Sequence, residues 1–222
     1  MRIRLRYGRR LVALGAAAAV TVLLAQNTTT AAFTAQTGDT SNKVSSAVTF
    51  CTTPGNAKLP AAMDTAVYQS QPDTNYGAVA SIGVGTGPNV NAYSYVKFTL
   101  TSAPLPAHCT VTSATLSIYA SAGTAPGTLY AYRANASWNA TMTWNTGRVG
   151  FAGTPAQTGA VAPSGLQQWD VTLLTRELYA GPDYGFALKD SVDNAASARY
   201  QTWSSMENGT AANRPTLDIT WG

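Results

Sequence analysis

The stretch Val111-Thr112-Ser113-Ala114-Thr115-Leu116-Ser117-Ile118-Tyr119-Ala120 decides the fold. Ala114, Leu116 and Ile118 fall on one side, and Thr115, Ser117 and Tyr119 on the other. This is the period-two alternation of a strand with one buried face. Tyr93–Leu100 repeats it, with Val96, Phe98 and Leu100 set against Tyr95, Lys97 and Thr99. Thr216–Trp221 closes the chain the same way, with Leu217, Ile219 and Trp221 opposite Thr216, Asp218 and Thr220. Shorter strands are predicted at Asp64–Tyr68, Ser81–Val84, Leu129–Arg133, Thr154–Ala162, Leu166–Asp170, Tyr184–Lys189 and Arg199–Ser204. Between them lie turn signals such as Pro72-Asp73-Thr74-Asn75-Tyr76-Gly77, where Pro, Asp, Asn and Gly each supply turn chemistry. About ten short strands with turns every 8–12 residues predict an all-β antiparallel sandwich, a jelly roll, over residues 62–222.

One segment departs from the strand pattern. Thr172–Tyr179 has helical spacing, with Leu173, Leu174 and Leu178 on one side. Thr172 is placed to cap its start, and Gly181-Pro182 stops it. The glycine-rich run at 83–87 is no phosphate cradle, since neither a Lys-Ser/Thr pair nor a helix follows.

Charged residues make up 11% of the 222, well below the roughly 25% of ordinary soluble domains. The net charge of +4 arises at the N-terminus, where Arg2, Arg4, Arg6, Arg9 and Arg10 stand with no acid beside them. Beyond them, nine basic residues face ten acids. That balance leaves no basic stripe for nucleic acid or anionic lipid.

Those arginines precede an apolar run, Leu11–Ala25. It suits the hydrophobic segment of an export signal better than a membrane span, which takes about 20 residues. Residues 1–32 therefore read as a signal peptide or N-terminal export segment, and no membrane contact is expected after cleavage. Residues 33–61, rich in Thr, Ala, Ser and Asn, read as a linker or extended arm, in which Val44–Phe50 has the composition of one more strand. The segment from Ala31-Ala32-Phe33-Thr34-Ala35 to Lys43 resembles the start of camelysin-type bacterial surface proteins. Cys51 and Cys109 are the only cysteines, and in an exported chain they are expected to pair.

Catalytic constellations are hard to assemble. The single histidine, His108, precedes a strand and has no evident partner for a triad. A glycosidase needs two facing carboxylates. The only glutamates are Glu177, on the predicted helix, and Glu207, after a strand, while most aspartates stand in turns. The chain reads as a non-enzyme without a cofactor. Asp183, Asp190, Asp193 and Asn194 carry the oxygen chemistry of a structural calcium site, against the alternative of solvated turn acids, and the metal question stays open.

Sugar recognition is easier to place. Tyr93, Tyr95, Tyr119, Tyr130 and Tyr132 are predicted to point outward from strands, where rings can stack on pyranoses and hydroxyls remain wet. Arg133, Asn135 and Arg199 can donate hydrogen bonds around them. Trp138 and Trp144, six residues apart, share a face if the segment is extended. They form either a sugar platform or core anchors, and Trp138 joins the candidate ligand set.

The landmarks fall in a recognisable order: Asp64, Pro72 and Asn75-Tyr76-Gly77; Tyr95-Val96-Lys97-Phe98-Thr99-Leu100; Val111 to Leu116; Trp138 to Thr143-Trp144; Asp170-Val171-Thr172; Gly181-Pro182-Asp183-Tyr184-Gly185; Trp203 to Glu207; and Arg214-Pro215-Thr216-Leu217. This order resembles the DNRLRE-type domain, a bacterial secreted β-sandwich related to carbohydrate-binding modules that include alginate binders. The resemblance covers roughly residues 62–222. It implies a secreted or cell-surface, non-catalytic protein that binds polysaccharide or cell-wall or matrix glycan. In that family paired tryptophans recur at this place as part of the fold, which favours Trp138 and Trp144 as anchors. The chain departs from the family at Thr99, Met206, Asn139 and Thr141, where charged residues are common. A structural surface or matrix protein without a sugar site is the alternative.

Overall fold

The computed structural model describes residues 50–123, 127–157 and 163–222. The expected export segment lies outside them, as do all but Phe50 of the strand expected at 44–50 and the last residues of the strand expected at Thr154–Ala162. The strands are β1 (Gly55–Tyr68), β2 (Ser81–Thr86), β3 (Ala92–Phe98), β4 (Val111–Gly123) and β5 (Leu129–Ala134). They continue with β6 (Phe151–Gln157), β7 (Gly165–Asp170), β8 (Phe186–Asp190), β9 (Arg199–Ser204) and β10 (Thr216–Trp221), and one helix, α1 (Thr172–Ala180), stands between β7 and β8. The expected all-β architecture is present.

The strands join in the order β1-β10-β4-β9-β2-β3-β8-β5-β6, with β7 beside β4. Strand β1 explains how this sheet closes on itself. Gly55–Pro60 pairs with β10, and Ala61–Tyr68 pairs with β3, with a register shift between Ala61 and Met63. The strand thus begins well before Asp64, because pairing to β10 recruits a polar, proline-containing segment whose own alternation is weak. Lys58 lies opposite Asp218 and forms a 3.3 Å ion pair with it.

The core lies between the two halves. Leu116, Ile118, Trp169, Leu217 and Ile219 come from β4, β7 and β10, and Val96, Phe98, Leu129, Phe186 and Leu188 from β3, β5 and β8. Trp169 and Trp203 are both fully buried and meet edge to face at 5.5 Å. Their indole N–H groups are satisfied internally, by the Leu129 carbonyl at 3.3 Å and the Gln201 side-chain carbonyl at 2.7 Å. A buried donor without such a partner costs about 1–3 kcal/mol.

Helix α1 corrects two expectations. Leu174 and Leu178 are buried, but Leu173 is 62% exposed, because the face turned to the core is narrower than three leucines. Thr172 does not cap. Its hydroxyl donates to Asp170 Oδ1 and accepts the Ala114 N–H at 2.9 Å, while Asp170 Oδ1 also accepts the Thr172 N–H. The threonine therefore fastens the helix start to β4, and the aspartate holds the turn. Cys51 and Cys109 form the expected disulfide, and His108 sits exposed in a left-handed turn at φ +63°.

Candidate functional site

Alternation along β3, β8 and β5 sends two sets of side chains to opposite faces. Val96, Phe98, Leu129, Ala131, Phe186 and Leu188 enter the core. Tyr93, Tyr95 and Ala187 belong to a second buried cluster, with Val67, Ala134, Trp138 and Met142. The face predicted to point outward is therefore present, but part of it is covered. The cover is the irregular segment 135–150, which contains both tryptophans. They do not share a strand face, because no strand forms there.

Tyr95 lies beneath this segment and is fully buried. Its ring is 5.7 Å from that of Trp138, and its hydroxyl donates to the Val149 carbonyl at 2.7 Å. Burial raises its pKa above the ordinary tyrosine value. Trp138, 7% exposed, donates its indole N–H to the Tyr184 carbonyl at 2.6 Å. Neither ring offers a face to a ligand. The outward reading of Tyr95 failed because a long connection folds back over a sheet face that period-two logic leaves open.

A row of rings runs along the rim, half-buried except for Tyr93, which is 7% exposed. Trp144 lies 5.1 Å from Tyr93, which lies 5.1 Å from Phe151. Phe151 is 5.3 Å from Tyr132, and Tyr132 is 6.0 Å from Tyr130. Two cations flank the row. The Arg148 guanidinium sits 4.0 Å from the Trp144 ring centre and 5.8 Å from that of Tyr93. The Lys189 ammonium lies 5.3 Å from Phe151 and 5.5 Å from Tyr93. Such contacts favour the cation over the negative ring face. Asp193 pairs with Lys189 and accepts the Tyr93 hydroxyl at 3.1 Å. Burial, then the Asp193 carboxylate, pushes Tyr93 above its usual pKa. The rings are neutral, Arg148 is the cation at their edge, and the charge of Lys189 is offset by Asp193.

Of the expected ligand residues, Tyr93, Tyr130 and Tyr132 come together here, with Tyr95 and Trp138 beneath. Arg133 and Arg199 do not join them. Arg133 points to the opposite face of β5 and pairs with Glu177 of α1 at 2.5 Å. Arg199 grips Asp190 through Nε at 2.8 Å and Nη2 at 2.7 Å. Asn135 accepts the Gly150 N–H at 2.8 Å, closing the base of the covering segment. All three are structural in these contacts.

Sequence reasoning left Trp144 between sugar platform and anchor, and it missed Phe151, Arg148 and Lys189. Lys189 was accessible from alternation, since it follows the core residue Leu188. Arg148 and Phe151 carried no such signal, because the fold of segment 135–150 places them.

The acids proposed for calcium are committed elsewhere. Asp190 binds Arg199 and the Val192 N–H, Asp193 binds Lys189, and Asp183 accepts the Gly185 N–H. Asn194 accepts from Asn91. Among the described residues no cluster of three or more His, Cys, Asp or Glu forms a metal site. Among the same residues no helix is long and apolar enough to cross a membrane.

No curated protein gives a significant match to the chain. Residues 55–221, from the first residue of β1 to the last of β10, match the model of carbohydrate-binding module family 96, and the chain belongs to that family.

Proposed function

We propose that this is a secreted or surface-held, non-catalytic protein that binds a polysaccharide, a cell-wall or matrix glycan, across the row Trp144–Tyr93–Phe151–Tyr132–Tyr130. The observation that carries the reading is the row itself. Five aromatic rings follow one another at 5.1–6.0 Å, at tilted to edge-on angles, and four of them, Trp144, Phe151, Tyr132 and Tyr130, are part-exposed around the buried Tyr93, an extended platform rather than a pocket. Such a platform suits the C–H faces of successive sugar rings. Arg148 stands beside it as a donor to hydroxyl or carboxylate oxygens.

Export is supported by the arginine-rich start and apolar run at residues 1–25 and by the disulfide, which persists in oxidising compartments. The finer DNRLRE resemblance belongs to this reading too, on the order of the landmarks from Asp64 to Leu217.

Electrophoresis through gels containing a panel of soluble polysaccharides tests the assignment. The wild type is expected to be retarded by at least one, and Trp144→Ala and Tyr132→Ala are expected to migrate freely in that gel. Retardation unchanged in both variants places the site elsewhere. Retention of the wild type by no polysaccharide, soluble or insoluble, removes the reading. Intact Met1–Ala25 on exported protein would refute cleavage of the signal.

A further inference from the structure

A second aromatic cluster lies away from the row, where β1 ends and β9 passes β2. Tyr200 on β9 stands opposite Gly85 of β2. Its ring lies against β2 because two glycines leave room. A Cβ at Gly83 would come within 2.0 Å of the Tyr200 hydroxyl, and one at Gly85 within 2.6 Å of its ring. This is the close approach that only glycine permits within a strand. The glycine-rich run that cradles no phosphate thus serves as the bed of an aromatic ring.

Pressed onto backbone on one side, Tyr200 remains 37% exposed. Its hydroxyl donates to that of Tyr68 at 3.0 Å, and Tyr76 meets Tyr68 edge to face at 4.5 Å. The three tyrosines enclose an open cleft of about 460 Å³, with Gln71, Ser81 and Thr202 on its polar wall. Gln71 accepts the Tyr76 hydroxyl. No lysine, arginine, histidine, aspartate or glutamate lines it.

The chemistry selects the ligand. A cleft of this size holds a small ring system, and a few polar groups fix its orientation. An exposed tyrosine face stacks on the C–H face of a pyranose, while hydroxyl and amide groups meet its equatorial hydroxyls. A carboxylated sugar would lose hydration there without a countercharge. We infer that the Tyr68–Tyr76–Tyr200 cleft is a second glycan site, specific for an uncharged pyranose unit and separate from the cation-flanked row. The inference rests on the carbohydrate-binding character of the family, not on the assignment of the row.

The full chain is tested by affinity electrophoresis and calorimetry against neutral glucans, mannans, galactans and xylan, with polygalacturonate as the charged comparator. At least one neutral glycan is expected to bind. Tyr200→Ala and, as an independent variant on the loop, Tyr76→Ala are each expected to weaken that binding by about tenfold or more, the scale of one lost stacking contact. Leu173→Ala, on the exposed side of α1, should leave it unchanged. Circular dichroism of each variant confirms folding, and Tyr76→Ala carries the test if Tyr200→Ala is unstable. Neutral binding that survives both tyrosine variants, or that is lost with Leu173→Ala, overturns the second site. Wild-type binding to polygalacturonate alone also overturns it while leaving the row intact. Binding to no glycan removes both.

Discussion

Asp64 Oδ2 accepts the Met206 backbone N–H at 2.6 Å, while Asp64 Oδ1 is buried with no hydrogen bond. This carboxyl, 1% exposed in mid-β1, is raised from 3.8 to about 7, chiefly by burial. The Met206 N–H opposes the shift, and the nearby Glu207 carboxylate reinforces it. The folded state therefore holds a proton that the unfolded chain has released between about pH 4 and pH 7. Stability falls as pH rises through that window. Asp64→Asn, which keeps an acceptor for Met206 and carries no charge, is expected to raise stability at pH 8 by on the order of 2–4 kcal/mol. It should also flatten the slope between pH 4 and 7. Thermal melts of both proteins across that range decide it; parallel curves would count against the buried-proton account.

Asp190 is buried as well, but it has a dedicated cation in Arg199. Arg199→Ala leaves it uncompensated, and the expected loss is about 3–5 kcal/mol. Urea denaturation measures this. A loss under about 1 kcal/mol, the range of an exposed pair, would mean that the pair is wet in solution.

The two tryptophans of segment 135–150 should separate by experiment. Trp138→Ala opens the second cluster and should cost about 3–5 kcal/mol. Trp144, half-buried with Arg148 on its face, should cost much less in stability and more in glycan retention. Tyr95→Phe removes one internal hydrogen bond, worth about 1 kcal/mol, and should leave glycan binding untouched. Equal stability losses for both tryptophan variants would contradict the layered arrangement.

The disulfide encloses a long loop, with a sequence separation of 58. On the chain-entropy account it stabilises the fold by about 4 kcal/mol. Reduction, or Cys109→Ser, should lower the melting temperature without abolishing the fold. Intact mass under non-reducing conditions should show no free thiol.

The strands were legible because core positions repeat with period two, as in Val96–Phe98 and Leu116–Ile118. The start of β1 was not, because Gly55–Pro60 is held by β10 from the far end of the sequence rather than by a pattern of its own. The tyrosines named from the sequence split by a similar cause. Tyr93, Tyr130 and Tyr132 lie where alternation puts them, yet whether a face is open depends on what folds over it. That is set by segment 135–150, which has no period to read. Tyr200 was unreadable for a further reason: its exposure depends on glycines in β2 that become its neighbours only through pairing. Arginines are ambiguous in sequence altogether, since Arg133 and Arg199 look like ligand donors until Glu177 and Asp190 are found beside them.

Gly55 lies directly across from Trp221 in the β1–β10 pairing, while Tyr68 closes the other end of β1. Any chain preceding the first strand and any chain following the last thus leave the domain at a common point. The tyrosine cleft stands at the far end of a strand whose contour is about 40 Å. β1 therefore acts as a mast. Tension between the two ends would pass from Cys51 through the disulfide to Cys109, and β1, which lies inside that loop, would stay out of the load path.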